Sequence, residues 1–211
     1  LFALGGLQGL IGWWMVSSGV NSELTSVAPY RLMTHFGLAL LIICYCFWLC
    51  MELGAEKRET PHEAFGWATT LIWISGLQMA LGALVAGLDA GRGYTDWPLM
   101  SGHVAPPEMW SMSPFWLNFA ENPATAQFFH RLVAYLLLGL ALWTAWKFRA
   151  QHWSLFRLFA GLVSAQAVLG VVTLVNAAPL DLSLTHQALG VVVLMAATRL
   201  MWTARPKSAQ L

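Results

Sequence analysis

Charged residues are scarce in this chain, and their scarcity narrows the class of protein. Only 10% of the 211 residues are Asp, Glu, Lys or Arg, whereas 58% are hydrophobic. An average soluble domain is about 25% charged and about 45–50% apolar. A soluble fold of this size could not bury so much apolar surface, whereas a fold that faces lipid does not need to bury it. The net charge of +1 and the lack of a basic patch give no indication of a nucleic-acid partner.

Cysteine is rare as well, and the three cysteines lie in one apolar run, at Cys44, Cys46 and Cys50. None lies in a connecting segment, which argues against a disulfide framework. Their spacing does not bring all three to one face of a helix, which argues against a thiolate metal site. We therefore interpret them as small apolar residues.

Long apolar runs are what the sequence has instead. A membrane-spanning helix needs about 20 apolar residues, and six segments qualify. They are Leu1–Val20, Tyr30–Leu53, Trp67–Leu88, Thr125–Phe148, Ser154–Val175 and Leu182–Trp202. In lipid the backbone polar groups must pair within the segment, so these runs are predicted to be helices. The predicted fold is an all-α polytopic membrane protein with six transmembrane helices.

Basic residues mark alternate connections between these runs. Eight of the eleven are Lys57, Arg58, Lys147, Arg149, Arg157, Arg199, Arg205 and Lys207. The positive-inside rule predicts that these connections and the C-terminus face the cytoplasm or matrix. The longest connection, from Asp89 to Ala124, then lies outside. Its many aromatic residues suit a segment on the lipid headgroups, a cap over a pocket or an ordinary interfacial loop.

Two patterns repeat along the helices. A glutamine followed one turn later by a glycine occurs as Gln8 with Gly12, Gln78 with Gly82 and Gln166 with Gly170. Glycine there lets helices approach closely, and glutamine can hydrogen-bond between them. Each intervening helix instead carries a histidine near its outer end: His35, His130 and His186. Patterns at such regular places indicate a repeat of helix pairs.

The helix pairs are not all alike. The residues around His35 resemble those around His186, whereas Arg131 follows His130 and a long connection precedes it. The order of pair types is therefore B, A, B, whereas a duplicated protein would have the order A, B, A, B. We expect one further A-type pair before Leu1.

Histidine inside a membrane helix is a functional-site hypothesis by default, although a single one can simply bond a neighbouring carbonyl. Imidazole suits heme iron, zinc and copper. Zinc sites usually add carboxylates or thiolates, and proton relays usually include Asp or Glu. No acid stands near these histidines within the apolar runs. Because a small residue follows each histidine by one turn, at Ala39, Ala134 and Gly190, the pattern favours heme.

His130 and His186 belong to adjacent helix pairs and can face each other across a four-helix bundle, which is a common place for a cofactor. Two axial imidazoles suit electron transfer at the iron. His35 needs a partner that the expected further pair should carry. Arg31 and Arg131 can pair with heme propionates or extend to the headgroups. The remaining histidines, His62, His103 and His152, lie in connections, and only for His103 do we consider a role near the heme or toward copper.

Several motifs together resemble the heme A synthase family. They are residues 5–19, 29–35, 85–100, 118–122, 127–135 and 185–187, which spread the resemblance over essentially the whole chain. The chain is most similar to the α-proteobacterial and mitochondrial branch, because other branches carry a cysteine pair in outer loops. The resemblance implies eight helices in two pseudo-symmetric halves. It also implies that this chain lacks the first two helices.

The resemblance assigns a role to each part of the chain. Residues 1–53 are the remaining helix pair of the substrate-heme half, 54–66 a cytoplasmic or matrix linker, 67–203 the four-helix bundle that binds heme b, and 204–211 a cytoplasmic tail. His130 and His186, with Arg131 beside them, are then the axial ligands of a relay heme b. His35, with Arg31, belongs to the site of the substrate, heme O. The expected catalytic glutamate lies on a helix before Leu1.

The implied activity is oxidation of a heme O ring methyl to a formyl group, giving heme A for cytochrome c oxidase. The implied location is the bacterial plasma membrane or the mitochondrial inner membrane. Expected partners are lipid, heme O, heme O synthase and oxidase assembly factors, with the electron donor unassigned. We expect the 211-residue chain alone to lack activity. Alternatives are a membrane b-type cytochrome and a heme-binding assembly factor; a transporter is disfavoured, since no helix is broken by Gly or Pro.

Overall fold

The computed structural model describes residues 1–20, 26–54, 62–151 and 154–205. Within these ranges the chain forms α-helices and short 3-10 turns, without a β-strand. The helices are α1 (Phe2–Val20), α2 (Pro29–Leu53), α3 (His62–Gly87), α4 (Leu117–Glu121), α5 (Pro123–Lys147), α6 (Ser154–Val175) and α7 (Leu180–Ala204). The 3-10 turns are Ala90–Arg92, Pro107–Trp110 and Arg149–Gln151.

The six long helices coincide with the six apolar runs, which confirms an all-α polytopic membrane protein. Five of them, α2, α3, α5, α6 and α7, are long and apolar enough to cross a membrane. Where the sequence predicts six spans, α1 is helical but falls outside this set. Gln8, Ser17 and Ser18 and several glycines lower its hydropathy.

The helix starts follow from local sequence. Pro29 and Pro123 stand in the first turns of α2 and α5, where the missing N–H costs nothing and the fixed φ suits a helix. Asn122 caps α5, since its side-chain oxygen accepts from the backbone N–H groups of Ala124 (2.9 Å) and Thr125 (3.3 Å). Helix α3 begins earlier than predicted, inside the expected linker 54–66, where Glu63 forms an ion pair with Lys147 of α5.

Four helices close around a common core. Helix α3 packs against α5 and α7, and α6 packs against the same two helices. The core holds buried side chains from all four: Ala64, Ala68, Leu71, Leu137, Ala141, Phe148, Phe156, Phe159, Ala160, Val163, Val193, Ala197, Leu200 and Ala204. Phe148 stacks on Phe156 with ring centroids 4.6 Å apart. This packing is the arrangement that the predicted four-helix bundle requires.

The first two helices lie beside this bundle. Helix α2 packs against α3 and α7, and α1 packs against α2. An ion pair between Glu52 and Arg205 joins the end of α2 to the end of α7, and Trp202 Nε1 donates to Glu52 Oε1 at 3.1 Å. Large apolar side chains such as Trp73 and Val168 are mostly exposed on the helix faces, as expected for a surface in lipid.

Candidate functional site

Each of the three membrane histidines lies against the glutamine of the preceding long helix. The Gln8 Nε2 atom is 3.3 Å from both ring nitrogens of His35. Across α3 and α5, Gln78 Nε2 is 3.1 Å from Nδ1 and 3.3 Å from Nε2 of His130. Across α6 and α7, Gln166 Nε2 is 3.4 Å from Nε2 of His186. The repeated glutamines and the repeated histidines of the sequence thus contact each other in pairs.

The glycine one turn after each glutamine makes room for the imidazole. A methyl group at Gly12 would lie 2.9 Å from Cε1 of His35, and one at Gly170 would lie 2.9 Å from Cε1 of His186. The same atom of His130 would be 3.2 Å from a methyl at Gly82. Real side chains essentially never approach within 3.0 Å in this way, so only glycine admits the ring in this position at α1 and α6. We call each glutamine, glycine and histidine set a histidine seat.

Two of the three seats belong to one bundle. His130 on α5 and His186 on α7 both lie in the bundle of α3, α5, α6 and α7. One turn below His186, Gly190 is buried and has no side chain, so that Met79 Sδ of α3 would lie 2.9 Å from an added methyl. His35 stands on α2, outside the closed arrangement of α3, α5, α6 and α7. The structure therefore brings together the histidine pair that the sequence predicts.

The two arginines beside the histidines bind protein carbonyls. Arg131 donates from its guanidinium to the backbone oxygens of Tyr94 (2.9 Å), Asp96 (3.0 Å) and Leu99 (2.9 Å). Arg131 therefore fastens the outer connection to the start of α5. From the sequence we predict that Arg131 pairs with a heme propionate or a lipid headgroup. Nothing in the sequence indicated its bonds to backbone carbonyls.

Arg31 has the equivalent task between α1 and α2. It donates to the backbone oxygen of Trp14 at 2.8 Å and to Ser17 Oγ at 3.2 Å. Its guanidinium also lies over the Trp14 ring, 4.8 Å from the centroid. Propionate pairing by Arg31 or Arg131 stays a prediction.

The connection between α3 and α5, residues 88–122, is hydrogen-bonded within itself and to α5, and we call it the cap. Gln127 of α5 is buried and donates to the Tyr94 carbonyl at 2.9 Å. The Tyr94 hydroxyl donates to Glu108 at 3.0 Å; burial and this carboxylate raise the pKa of Tyr94. Asn118 and Asn122 are buried and bond to each other at 3.0 Å, linking the cap to the N-terminus of α5.

A tight turn within the cap is held by Asp96. Its carboxylate accepts from the backbone N–H groups of Ser101 (2.8 Å) and Gly102 (3.2 Å). These bonds, with a smaller contribution from the Arg131 charge, lower the pKa of Asp96. His103 is exposed at the end of the same turn, where its backbone pairs with that of Met100. A role of His103 near the heme or toward copper stays a prediction.

Other residues singled out by the sequence lie elsewhere. Cys44, Cys46 and Cys50 are free thiols on α2. The side chain of His62 and the residues His152, Lys57, Arg58 and Lys207 lie outside the described residues.

The seats suit an iron macrocycle with two axial imidazoles. Both histidines are partly buried in an apolar bundle, and glycine keeps the adjoining backbone open beside each ring. The Nδ1 atom of His186 and the Oε1 atoms of Gln78 and Gln166 are buried without a hydrogen-bond partner. In the part of the chain that the structure describes, no three His, Cys, Asp or Glu side chains gather around a metal position. A group held by the two bundle histidines would fit this donor set.

Comparison with known proteins shows the family to which the chain belongs. A family model described as cytochrome oxidase assembly protein, COX15-CtaA, matches residues 1–198. The chain belongs to this family. The family predicted from the sequence motifs is therefore confirmed.

Several similar proteins are named heme A synthase. That of Hyphomonas neptunium is 53% identical over 208 residues, covering 97% of this chain and 59% of the relative. That of Ruegeria sp. is 46% identical over 204 residues, covering 90% and 53%. That of Dinoroseobacter shibae is 46% identical over 217 residues, covering 97% and 56%. The chain thus spans a little more than half the length of these relatives.

Proposed function

We propose that this chain binds heme b between His130 and His186 and serves heme A synthesis. In that reaction a ring methyl of heme O is oxidised to a formyl group, and the product, heme A, goes to cytochrome c oxidase. The observation that carries the proposal is the pair of histidine seats within one four-helix bundle. The names of the relatives, heme A synthase, support the same activity.

The residues of the bundle have separate tasks in this proposal. His130 and His186 would hold the heme iron, and Gly82 and Gly170 let the rings lie against α3 and α6. Bound heme supplies one-electron chemistry at its iron. Arg131 and Gln127 hold the cap over the outer end of the bundle, which limits the access of water. A dry site with fixed ligands favours rapid electron transfer without rearrangement.

The α1–α2 pair has a different task in the proposal. Its seat places His35 beside Gln8, and Arg31 locks the two helices together. We assign His35 and Arg31 to the site of the substrate, heme O. The catalytic group stays unassigned, and the family resemblance predicts a glutamate for it.

The proposed setting is a bacterial plasma membrane or a mitochondrial inner membrane, with the C-terminus inside. Five apolar helices and the membership of an oxidase assembly family support a multi-pass membrane protein. The proposed partners are lipid, heme O synthase and oxidase assembly factors.

The proposal is tested by extracting heme from the purified protein after expression in a host that makes heme O. Chromatography should find heme b together with heme O. The heme b should be lost in His130→Ala and His186→Ala, and the heme O in His35→Ala. The exposed histidine variant His103→Ala is the matched control and should keep all hemes. Absence of any heme from the wild-type protein would overturn the proposal.

A second function is favoured by the presence of both His130 and His186 in one four-helix bundle. A membrane b-type cytochrome would need only these two histidines. Such a protein would pass electrons between quinol and a partner without using heme O. Recovery of heme b alone, in a host that makes heme O, would favour this function over heme A synthesis.

A further inference from the structure

A groove lies between the C-terminal ends of α2 and α7, at the opposite ends of these helices from the histidine seats. Its volume is about 260 Å³, and it is lined by Phe47, Met51, Gly54, Arg199 and Trp202. The lining residues of each helix are three or four positions apart, so each helix contributes one face. Both helices are long and apolar enough to cross a membrane, and a ligand of this groove therefore has to be compatible with lipid.

The carboxylate at the end of α2 is already paired. Glu52 forms an ion pair with Arg205, whose Nη2 donates to Glu52 Oε2 at 2.7 Å. The other carboxylate oxygen, Oε1, accepts from Trp202 Nε1 at 3.1 Å. Because the opposite charges of Glu52 and Arg205 cancel each other, this carboxylate does not neutralise Arg199.

Arg199 gives the groove a positive charge. It is exposed and lies five residues before Ala204, the last residue of α7. At 1.5 Å per residue, this is about 7–8 Å from the end of the helix. Among the residues that the structure describes, no hydrogen bond or ion pair reaches its guanidinium. A cation at this depth is suited to an anion at the boundary of the membrane.

The surroundings of this charge indicate what kind of anion fits. A guanidinium binds phosphate through parallel N–H···O bonds. Phe47 and Met51 add an apolar wall on the side of α2. Gly54 leaves the end of this wall open: among the described residues, an added methyl would meet only the Cys50 carbonyl oxygen, at 3.8 Å. A free anion gains nothing from an apolar wall, whereas a phospholipid has its phosphate next to apolar chains.

We infer that this groove binds an anionic glycerophospholipid, with Arg199 as the ligand of the headgroup phosphate and with Phe47 and Met51 against the first carbons of an acyl chain. Basic pockets between membrane helices bind anionic lipid headgroups in this way. A zwitterionic lipid is a poorer fit, because its own cation offsets the phosphate charge. The bound lipid joins α2 to α7 and thereby the α1–α2 pair to the bundle. The inference does not depend on heme binding.

Four variants separate the charge of the groove from its shape. Arg199→Gln removes the charge and keeps a long polar side chain, whereas Arg199→Lys keeps the charge. Met51→Trp fills the groove and leaves Arg199 in place. Arg157→Gln is the matched control, because Arg157 is an exposed arginine in the first turn of α6, outside the groove.

The experiment is native mass spectrometry of the purified chain in detergent, titrated with phosphatidylglycerol or with phosphatidylcholine of the same acyl chains. Wild type, Arg199→Lys and Arg157→Gln should retain phosphatidylglycerol in preference to phosphatidylcholine. Arg199→Gln should bind phosphatidylglycerol roughly fivefold more weakly or worse, which is the usual effect of one basic residue near an anionic lipid. Met51→Trp should also bind it more weakly. Added inorganic phosphate should not displace the lipid.

Several results would overturn the inference. They are equal retention of the two lipids by the wild type, unchanged binding in Arg199→Gln, or an equal loss in Arg157→Gln and Arg199→Gln. Displacement of the lipid by inorganic phosphate would show a phosphate site without lipid selectivity and would overturn it too. If Arg199→Gln does not fold, Met51→Trp decides alone: weaker binding than in Arg157→Gln supports the inference, and equal binding overturns it.

Discussion

The α1–α2 pair and the bundle of α3, α5, α6 and α7 contain the same local unit in different surroundings. In both regions a glutamine contacts the histidine of the next long helix, and a glycine admits its ring. Two such units, with His130 and His186, lie in the bundle. His35 stands outside the bundle, on a helix that packs against its side. The histidine seat is therefore a repeated unit, and we propose a two-ligand site only for the bundle, which contains two seats.

The two regions can also be compared by the arginines that lie near their histidines. Arg31 and Arg131 occupy similar places next to His35 and His130, and both bind backbone oxygens. Arg31 joins two helices, whereas Arg131 joins a helix to the cap. Arg131 thereby ties the long connection to α5.

The largest expected effect comes from removing a ligand of the bundle. His130→Ala or His186→Ala should abolish tightly bound heme b, because one axial ligand and the shape of the seat are lost together. His35→Ala should leave the heme b content unchanged. A pyridine hemochrome assay on the purified variants measures the content. Equal loss of heme b in all three variants would refute the contrast between the two regions.

A smaller loss of bound heme is expected when the glycine of a histidine seat is replaced by alanine. Gly170→Ala places a methyl 2.9 Å from the His186 ring, so the ring or the helix must move. Overpacking of this kind costs about 1–3 kcal/mol, which corresponds to roughly a tenfold or greater loss of heme affinity. Gly82→Ala should lose less, since its methyl would be 3.2 Å from the His130 ring. Heme titration of the stripped protein gives the affinities.

The control for the glycine variants lies in α5. Gly139→Ala adds a methyl with nothing within 4 Å and should leave the heme affinity as it is. An equal loss in Gly139→Ala and Gly170→Ala would show that helix flexibility, rather than the seat, sets the affinity.

Replacement of Arg131 should destabilise the protein somewhat more than replacement of Arg31. Arg131→Ala removes three hydrogen bonds to the cap and should destabilise the protein by about 1–3 kcal/mol. Arg31→Ala removes bonds only within the α1–α2 pair and should cost about 1 kcal/mol without loosening the cap. Thermal unfolding in detergent and proteolysis of the cap measure the two effects. Faster cleavage of the cap in Arg31→Ala than in Arg131→Ala would contradict this account.

The smallest expected effect is the pH dependence of the turn at Asp96. Its pKa is lower in the folded protein than the ordinary value of 3.8. The ionised carboxylate therefore stabilises the turn fully above that value, and the stabilisation is lost as the pH falls through the folded pKa. Amide hydrogen exchange at Ser101 and Gly102 should quicken relative to the rest of the cap below about pH 4. In Asp96→Asn this change should vanish, and its persistence there would point to another titrating group.

The sequence predicts the long helices well, because they depend on local patterns. Apolar runs of sufficient length placed all six of them. The assignment of His35, His130 and His186 as heme ligands stays a prediction. The position of Gly12 relative to Gln8 indicated close helix approach. The partner of each glutamine was missed, although the signal was present: the glutamine and histidine patterns alternate from helix to helix.

Other features could not be predicted from the sequence. The bonds from Arg131 to the carbonyls of Tyr94, Asp96 and Leu99 depend on the path of a long connection with no periodicity. Helix α1 is long enough to span a membrane, and the sequence prediction counted it for that reason although its hydropathy is lower than that of the other long helices. The ion pair between Glu63 at the start of α3 and Lys147 joins residues distant in the chain, so no sequence pattern indicated it.

The most direct test of the central claim is an electron paramagnetic resonance spectrum of the oxidised, purified chain. If His130 and His186 bind one heme between them, the spectrum will show low-spin ferric iron with two imidazole ligands. That signal will persist in His35→Ala and disappear in His130→Ala and His186→Ala. A high-spin signal from the wild type, or a low-spin signal that survives the loss of either bundle histidine, would contradict the claim.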